Sequence, residues 1–143
     1  MLNVELQSNA KSFWSRGVFL FVILTIIDQV SKYFAGHIHQ IYNFAFSLPL
    51  HSYAMYGIYL AGIGGIISYL IKYYRILPFK ALVSWTMIFS GAVSNVGERI
   101  VLGYVRDWIH IGSGIFNLAD GYIIIGMITL FLNSKSESLN SKP

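Results

Sequence analysis

Four apolar runs, each close to the ~20 residues a helix needs to cross a bilayer, take up about half of the chain and leave no room for a large water-soluble domain. They cover about residues 17–35, 53–71, 81–96 and 115–132. None alternates apolar and polar residues with period two. They therefore read as helices, which satisfy their own backbone hydrogen bonds in lipid, and not as barrel strands. Charged residues are 11% of the chain, where a soluble domain carries roughly 25%, so each charge inside a run needs a reason. The expected fold is an all-α membrane protein with four transmembrane helices in a single domain, 1–132. The Ser/Lys/Asn-rich tail, 133–143, is expected to be disordered and cytoplasmic.

Basic residues set the expected orientation. Lys11 and Arg16 precede the first run, Lys72, Arg75 and Lys80 lie between the second and third, and Lys135 and Lys142 follow the fourth. Cytoplasmic segments collect Lys and Arg, which gives N-in and C-in. The first run is too long for a signal-peptide core, lacks a small-residue cleavage site, and contains Asp28 and Lys32, so it reads as a retained helix. The link from His37 to Ser52 mixes Tyr, Phe, His and Pro49, as a small ordered cap at the outer surface would.

The absence of cysteine excludes disulfides, thiolate metal centres and a thiol nucleophile. No P-loop, dinucleotide fingerprint, Ser-His-Asp signature or HExxH occurs. His37, His39 and His51 are candidate metal ligands, but in an aromatic interfacial loop they read as headgroup-level side chains. Neither a metal nor an organic cofactor is expected, and no nucleic-acid partner. The formal charge of +4 suits anionic lipid headgroups.

The three aspartates, Asp28, Asp107 and Asp120, all lie within or at the outer end of a run. Asp28 and Lys32 share a helical face at i and i+4, which suits an ion pair that fixes the depth of the helix end. Asn95, Glu98 and Arg99 share another face and read as a polar brace. Asp107 and Asp120 flank the Gly-rich stretch I-H-I-G-S-G-I, which can fold back and bring both carboxyls together. Two carboxyls at one site cannot both ionise cheaply, so such a pair holds one proton near neutral pH, as aspartic proteases require. Unrelated helix-end carboxylates are the alternative. The small-residue surfaces Ala61–Gly65 and Gly91–Ala92 suit close helix packing.

Taken in order, D28-Q-V-S-K32, A45-F46-S47, S94-N95-V96-G97-E98-R99, G103-Y104-V105-R106-D107-W108 and F116-N117-L118-A119-D120 resemble the lipoprotein signal peptidases, signal peptidase II, over about residues 16–132. The resemblance implies a bacterial aspartic intramembrane endopeptidase. It would cleave diacylglyceryl-modified prolipoproteins immediately before the lipidated cysteine, from the outer face of the cytoplasmic membrane. It casts Asp107 and Asp120 as the catalytic pair and Asp28 and Lys32 as supports. Asn95, Arg99 and Asn117 would line the site and order substrate, with Ala119 small to admit the substrate chain. Two positions depart from the family pattern. Glu98 stands where the family has Asp, an extra methylene expected to shift its contact with Arg99, and Asn43 falls where the N-x-G-x-A-F pattern has glycine. A monomer in contact with membrane lipids and prolipoprotein is the expected working state. The rival readings are a small proton- or ion-coupled transporter and a non-catalytic relative of the peptidase.

Overall fold

Helices form where the apolar runs lie. The computed structural model describes residues 2–42, 52–73 and 76–140, with side chains for 13–42, 53–73 and 76–134. Its helices are α1 (Leu2–Phe34), α2 (Ser52–Tyr73), α3 (Phe79–Leu102) and α4 (Leu118–Asn140). The segments Phe13–Phe34 and Tyr53–Tyr73 are long and apolar enough to cross a membrane, and Leu118–Ser134 is a shorter apolar stretch. α3 begins after Pro78, whose extended backbone stands at the N-cap, and ends at Gly103, which takes φ 83° and donates its N–H to the Arg99 carbonyl. Only glycine accepts that left-handed turn without a steric penalty.

α3 is the hub, packing on α1, α2 and α4. The reason is its composition: Ser84, Thr86, Ser90, Ser94, Asn95, Glu98 and Arg99 are all buried. Such a stripe is costly against lipid and is enclosed by the other helices. Those helices turn Val18, Phe19, Ile58, Leu60, Ile128 and Phe131 outward, the reverse of a water-soluble protein. α1 runs parallel to α3, joined by Thr25–Ser90 and Gln29–Ser94 hydrogen bonds of 3.0 and 2.9 Å. α4 runs antiparallel to α3 and touches it backbone to backbone. A Cβ on Gly91 would sit 2.3 Å from the Ala119 carbonyl oxygen, and one on Gly126 would sit 2.7 Å from that of Ser84. The expectation of close packing thus holds at Gly91 but not on α2, where Gly62, Gly64 and Gly65 face nothing within 4 Å.

The predominantly helical fold matches the expectation, and small strand pairs are added to it. Among the described residues four short strands form two antiparallel pairs, β1 (His39–Ile41) with β2 (Val105–Asp107), and β3 (Ile109–Ile111) with β4 (Gly114–Phe116). Val105-Arg106-Asp107 and Ile109-His110-Ile111 alternate as strands do. β3 and β4 are joined by a two-residue turn at Gly112-Ser113 in which Gly112 adopts φ 58°, as tight hairpin turns demand. β4 therefore takes up Ile115 and Phe116, and α4 starts at Leu118 instead of 115. At its other end α4 continues to Asn140, through most of the segment expected to be an unstructured tail. No glycine or proline interrupts the chain between Gly126 and Asn140, so nothing stops the helix. β1 is the described part of the expected outer cap. Asn43, Ala45–Ser47, Pro49 and His51 lie outside the described residues.

Candidate active site

The C-terminal ends of α1 and α3 and the N-terminal end of α4 meet at one end of the bundle, with the strands beside them. This juxtaposition gathers every side chain that the resemblance casts in the site except Asn43, which lies outside the described residues.

The N-terminus of α4 organises the site. A helix start leaves its first N–H groups without intrahelical partners. Asn117, the residue before α4, accepts the Asp120 N–H on its side-chain oxygen at 3.0 Å, and Asp120 Oδ2 accepts the Asn117 N–H at 3.2 Å. This reciprocal pair is a capping box built from Asn and Asp. The Ala119 N–H goes to Asp28 Oδ1 at 2.9 Å, so a carboxylate on α1 completes the cap. Ala119 is wholly buried beneath Gly91, and a larger residue there would push the Asp120 turn off α3.

From this cap two amides join the carboxyls. Asn117 Nδ2 donates to Asp107 Oδ1 at 2.6 Å and to Asn95 Oδ1 at 3.1 Å, and Asn95 Nδ2 donates to Asp120 Oδ1 at 2.9 Å. Asp120 therefore accepts an N–H on each oxygen. Asp107 accepts one, and its second oxygen accepts none among the described residues. Burial pushes the Asp107 carboxyl up to about 6; the Asn117 amide opposes that shift and the charge of Asp120 adds to it. Both aspartates line a cavity of about 450 Å³, together with Asn95, Arg99 and Asn117. Most of its remaining wall is apolar, with Ile115, Phe116, Ile123, Ile124 and Met127. Arg99 lies over the Tyr59 ring, its guanidinium carbon 5.4 Å from the ring centre.

Beneath the pair lies a buried charge network. Lys32 Nζ is 2.8 Å from Asp28, 3.0 Å from Glu98 and 3.1 Å from Asn95 Oδ1. Asp28 also accepts the Ser94 hydroxyl at 2.6 Å. Asp28 is thus more than the ion-pair partner that its i, i+4 spacing with Lys32 suggests, because its other oxygen holds α4. Glu98 does not brace Arg99. Its carboxylate takes the Arg106 backbone N–H at 3.0 Å and the Arg106 guanidinium at 2.7 Å, and Arg99 instead stacks on α2. The longer side chain reaches both Lys32 on α1 and Arg106 on β2, and so ties the residue before Asp107 to the bundle. Gln29, Ser94 and Arg106 were absent from the sequence-based candidates. Gln29 accepts from Arg106 at 2.8 Å and donates to Ser94 at 2.9 Å. Each is the chain neighbour of a candidate, which is the one signal that pointed to them.

Comparison with known proteins bears on what this geometry serves. The family described as signal peptidase (SPase) II matches residues 20–135. A lipoprotein signal peptidase of Fusobacterium nucleatum is 31% identical over 137 residues, spanning 80% of this chain and 83% of the relative. That of Streptococcus agalactiae serotype V is 32% identical over 143 residues, spanning 83% and 91%. Among solved structures, a bacterial membrane enzyme determined by the in meso method superposes with a TM-score of 0.74 at 21% identity, covering 90% of this chain and 92% of that one. The last likeness concerns the fold alone.

Proposed function

The chain belongs to the signal peptidase II family, and on that premise we propose that it is a bacterial endopeptidase that removes the signal peptide from lipid-modified prolipoproteins by aspartic-type chemistry at Asp107 and Asp120. The observation that carries the chemistry is the unequal provision of N–H donors to two carboxyls on one cavity. Asp120, with a donor on each oxygen, is the ionised member, and its place in the first turn of α4 favours negative charge. Asp107, with a donor on one oxygen and none on the other among the described residues, holds the proton.

In this mechanism Asp120 takes a proton from water as the water oxygen bonds to the scissile carbonyl carbon. The Asp107 proton passes to the carbonyl oxygen, giving a neutral tetrahedral diol. Asp120 then protonates the leaving nitrogen, Asp107 recovers a proton from the diol, and the C–N bond breaks. The products are a signal-peptide carboxyl and a free amino group on the lipidated cysteine, and the pair is ready for another cycle. Asn95 and Asn117 hold the carboxyls, Arg99 orders the substrate backbone, and Asp28, Lys32 and Glu98 support them. The apolar wall formed by Ile123, Ile124 and Met127 suits a signal-peptide helix or acyl chain that stays in lipid.

We place all four helices across the bacterial cytoplasmic membrane, N-in and C-in, with residues 1–132 as one domain and the carboxyl pair at the outer face. The alternating directions of successive helices and the gathering of charge at one end support this topology. A monomer is the working unit in this reading. The test is incubation of purified protein with one prolipoprotein in diacylglyceryl-modified and unmodified forms, followed by mass spectrometry. Cleavage before the cysteine of the modified form alone is the expected result. No cleavage, or cleavage elsewhere, overturns the reading.

A further inference from the structure

His39 on β1 and His110 on β3 belong to different outer links, 71 residues apart in the chain, yet their Nε2 atoms are 3.2 Å apart. Their rings meet edge to face with centroids 4.9 Å apart, and both side chains are exposed. Two metal–nitrogen bonds of about 2.0–2.1 Å meeting at a tetrahedral ion separate their nitrogens by about 3.3 Å. The pair is therefore spaced as two ligands of one ion are. We propose that His39 and His110 form a two-histidine site for a divalent transition-metal ion of the zinc class, and that the bound ion clamps β1 to the β3–β4 hairpin.

The surroundings favour a cation. His39 stands directly opposite Asp107 in the β1–β2 register, where paired residues have Cβ atoms about 5 Å apart, and so lies beside the carboxyl pair, which keeps one negative charge on Asp120. The guanidinium of Arg106, the residue before Asp107, is taken up by Glu98. Water completes the coordination, because the described residues hold no group of three or more His, Asp and Glu side chains arranged for a metal. A site of this kind binds reversibly and suits an ion that comes and goes with its concentration outside the cell. Imidazole ligands also predict tighter binding of Cu²⁺ than of Zn²⁺.

The clamp has a mechanical consequence. The hairpin supplies Ser113, Gly114, Ile115 and Phe116 to the cavity wall, and β1 supplies Ile41. With the ion absent, β1 is tied to the second link by its ladder with β2, and it meets the β3–β4 hairpin through the exposed hydrogen bond between the two imidazoles. An ion at the pair would hold both sides of the cavity mouth together and slow the entry of substrate. That last step rests on the proposed peptidase function; the binding site does not.

The test uses untagged full-length protein in detergent, titrated with ZnCl₂ by calorimetry. One ion per chain at micromolar affinity is expected, weakened at least about tenfold by His39→Gln or His110→Gln and unaffected by His37→Gln. No heat up to about 1 mM, or equal binding by the His39→Gln/His110→Gln double variant, overturns the site. Hydrogen exchange of the β1 and β3 amides, which is independent of peptidase activity, should slow with Zn²⁺ in the wild type and not in the double variant. Binding without slowed exchange overturns the clamp. In a cleavage assay Zn²⁺ should lower wild-type turnover several-fold and leave the double variant unchanged; unaltered wild-type turnover overturns the control of entry while the binding result stands.

Discussion

Shortening Glu98 by one methylene tests the reading of the charge network, since Glu98→Asp restores the residue type of the family pattern. The Glu98 carboxylate is almost fully buried and accepts from four nitrogens: Lys32 Nζ at 3.0 Å, Arg106 N at 3.0 Å, and Arg106 Nε and Nη2 at 2.7 Å each. Loss of one carbon–carbon bond withdraws the carboxylate by about 1.5 Å, so it cannot reach Lys32 and Arg106 together. Lys32 cannot follow, because Asp28 and Asn95 hold it at 2.8 and 3.1 Å. One charge-assisted contact is lost, worth about 1.5–3 kcal/mol. The lower half of that range applies if Arg106, which is 21% exposed, is the partner released to water. Glu98→Gln keeps the length but removes the charge that pairs two cations, and costs about 3–5 kcal/mol. Unfolding in detergent should therefore rank wild type above Glu98→Asp, and Glu98→Asp above Glu98→Gln. Cleavage should fall about tenfold in Glu98→Asp, because Arg106 positions the strand that carries Asp107. A Glu98→Asp protein as stable and active as wild type would refute the bridging of Lys32 and Arg106 by Glu98.

Three further outcomes follow from the same geometry. Because Asp107 ionises less readily in the folded protein, near 6 instead of about 4, the folded state gains a proton over that window; stability is highest below it and falls as pH rises through it. Asp107→Asn should thus raise the melting temperature at pH 8 and leave it unchanged at pH 4, and wild-type kcat/KM should fall on the alkaline side as the pair loses its shared proton. Gly91→Ala puts a methyl group 2.3 Å from the Ala119 carbonyl oxygen and should cost about 1–3 kcal/mol in unfolding experiments, with a loss of turnover as the first turn of α4 is displaced. Asn117→Ala loses both the cap and the amide bridge, about 1–2 kcal/mol for the cap alone, whereas Asn117→Ser should recover stability and not cleavage; recovery of both would reduce Asn117 to a cap.

How much of this was legible in the sequence depended on the range of the contact. Asp28 and Lys32 pair at i, i+4, and that spacing is visible in one line of text. The capping role of Asp28 was not, because Ala119 lies 91 residues away. The four apolar runs located the helices, and the Gly112-Ser113 turn lies in the stretch expected to fold back between Asp107 and Asp120. The strands escaped notice because each is three residues long, too short for alternation to outweigh the neighbouring apolar runs. In the sequence Arg99 is the cation beside Glu98; Arg106 becomes its partner only once Gly103 turns the chain back. His37 and His51 are the histidines near His39 in the sequence, whereas the residue it meets is His110 on the other link. Small glycine stripes mislead in the same way, since Gly91 and Gly64 are alike as letters and only the partner backbone distinguishes them.

The most direct test of the carboxyl pair is cleavage of a lipid-modified prolipoprotein by wild type, Asp107→Asn and Asp120→Asn. Each substitution removes a proton-transfer group and keeps the shape of the side chain. Cleavage before the modified cysteine by wild type, with both variants inactive but folded, is the predicted result. Cleavage by either variant at the wild-type rate would contradict the two-aspartate account.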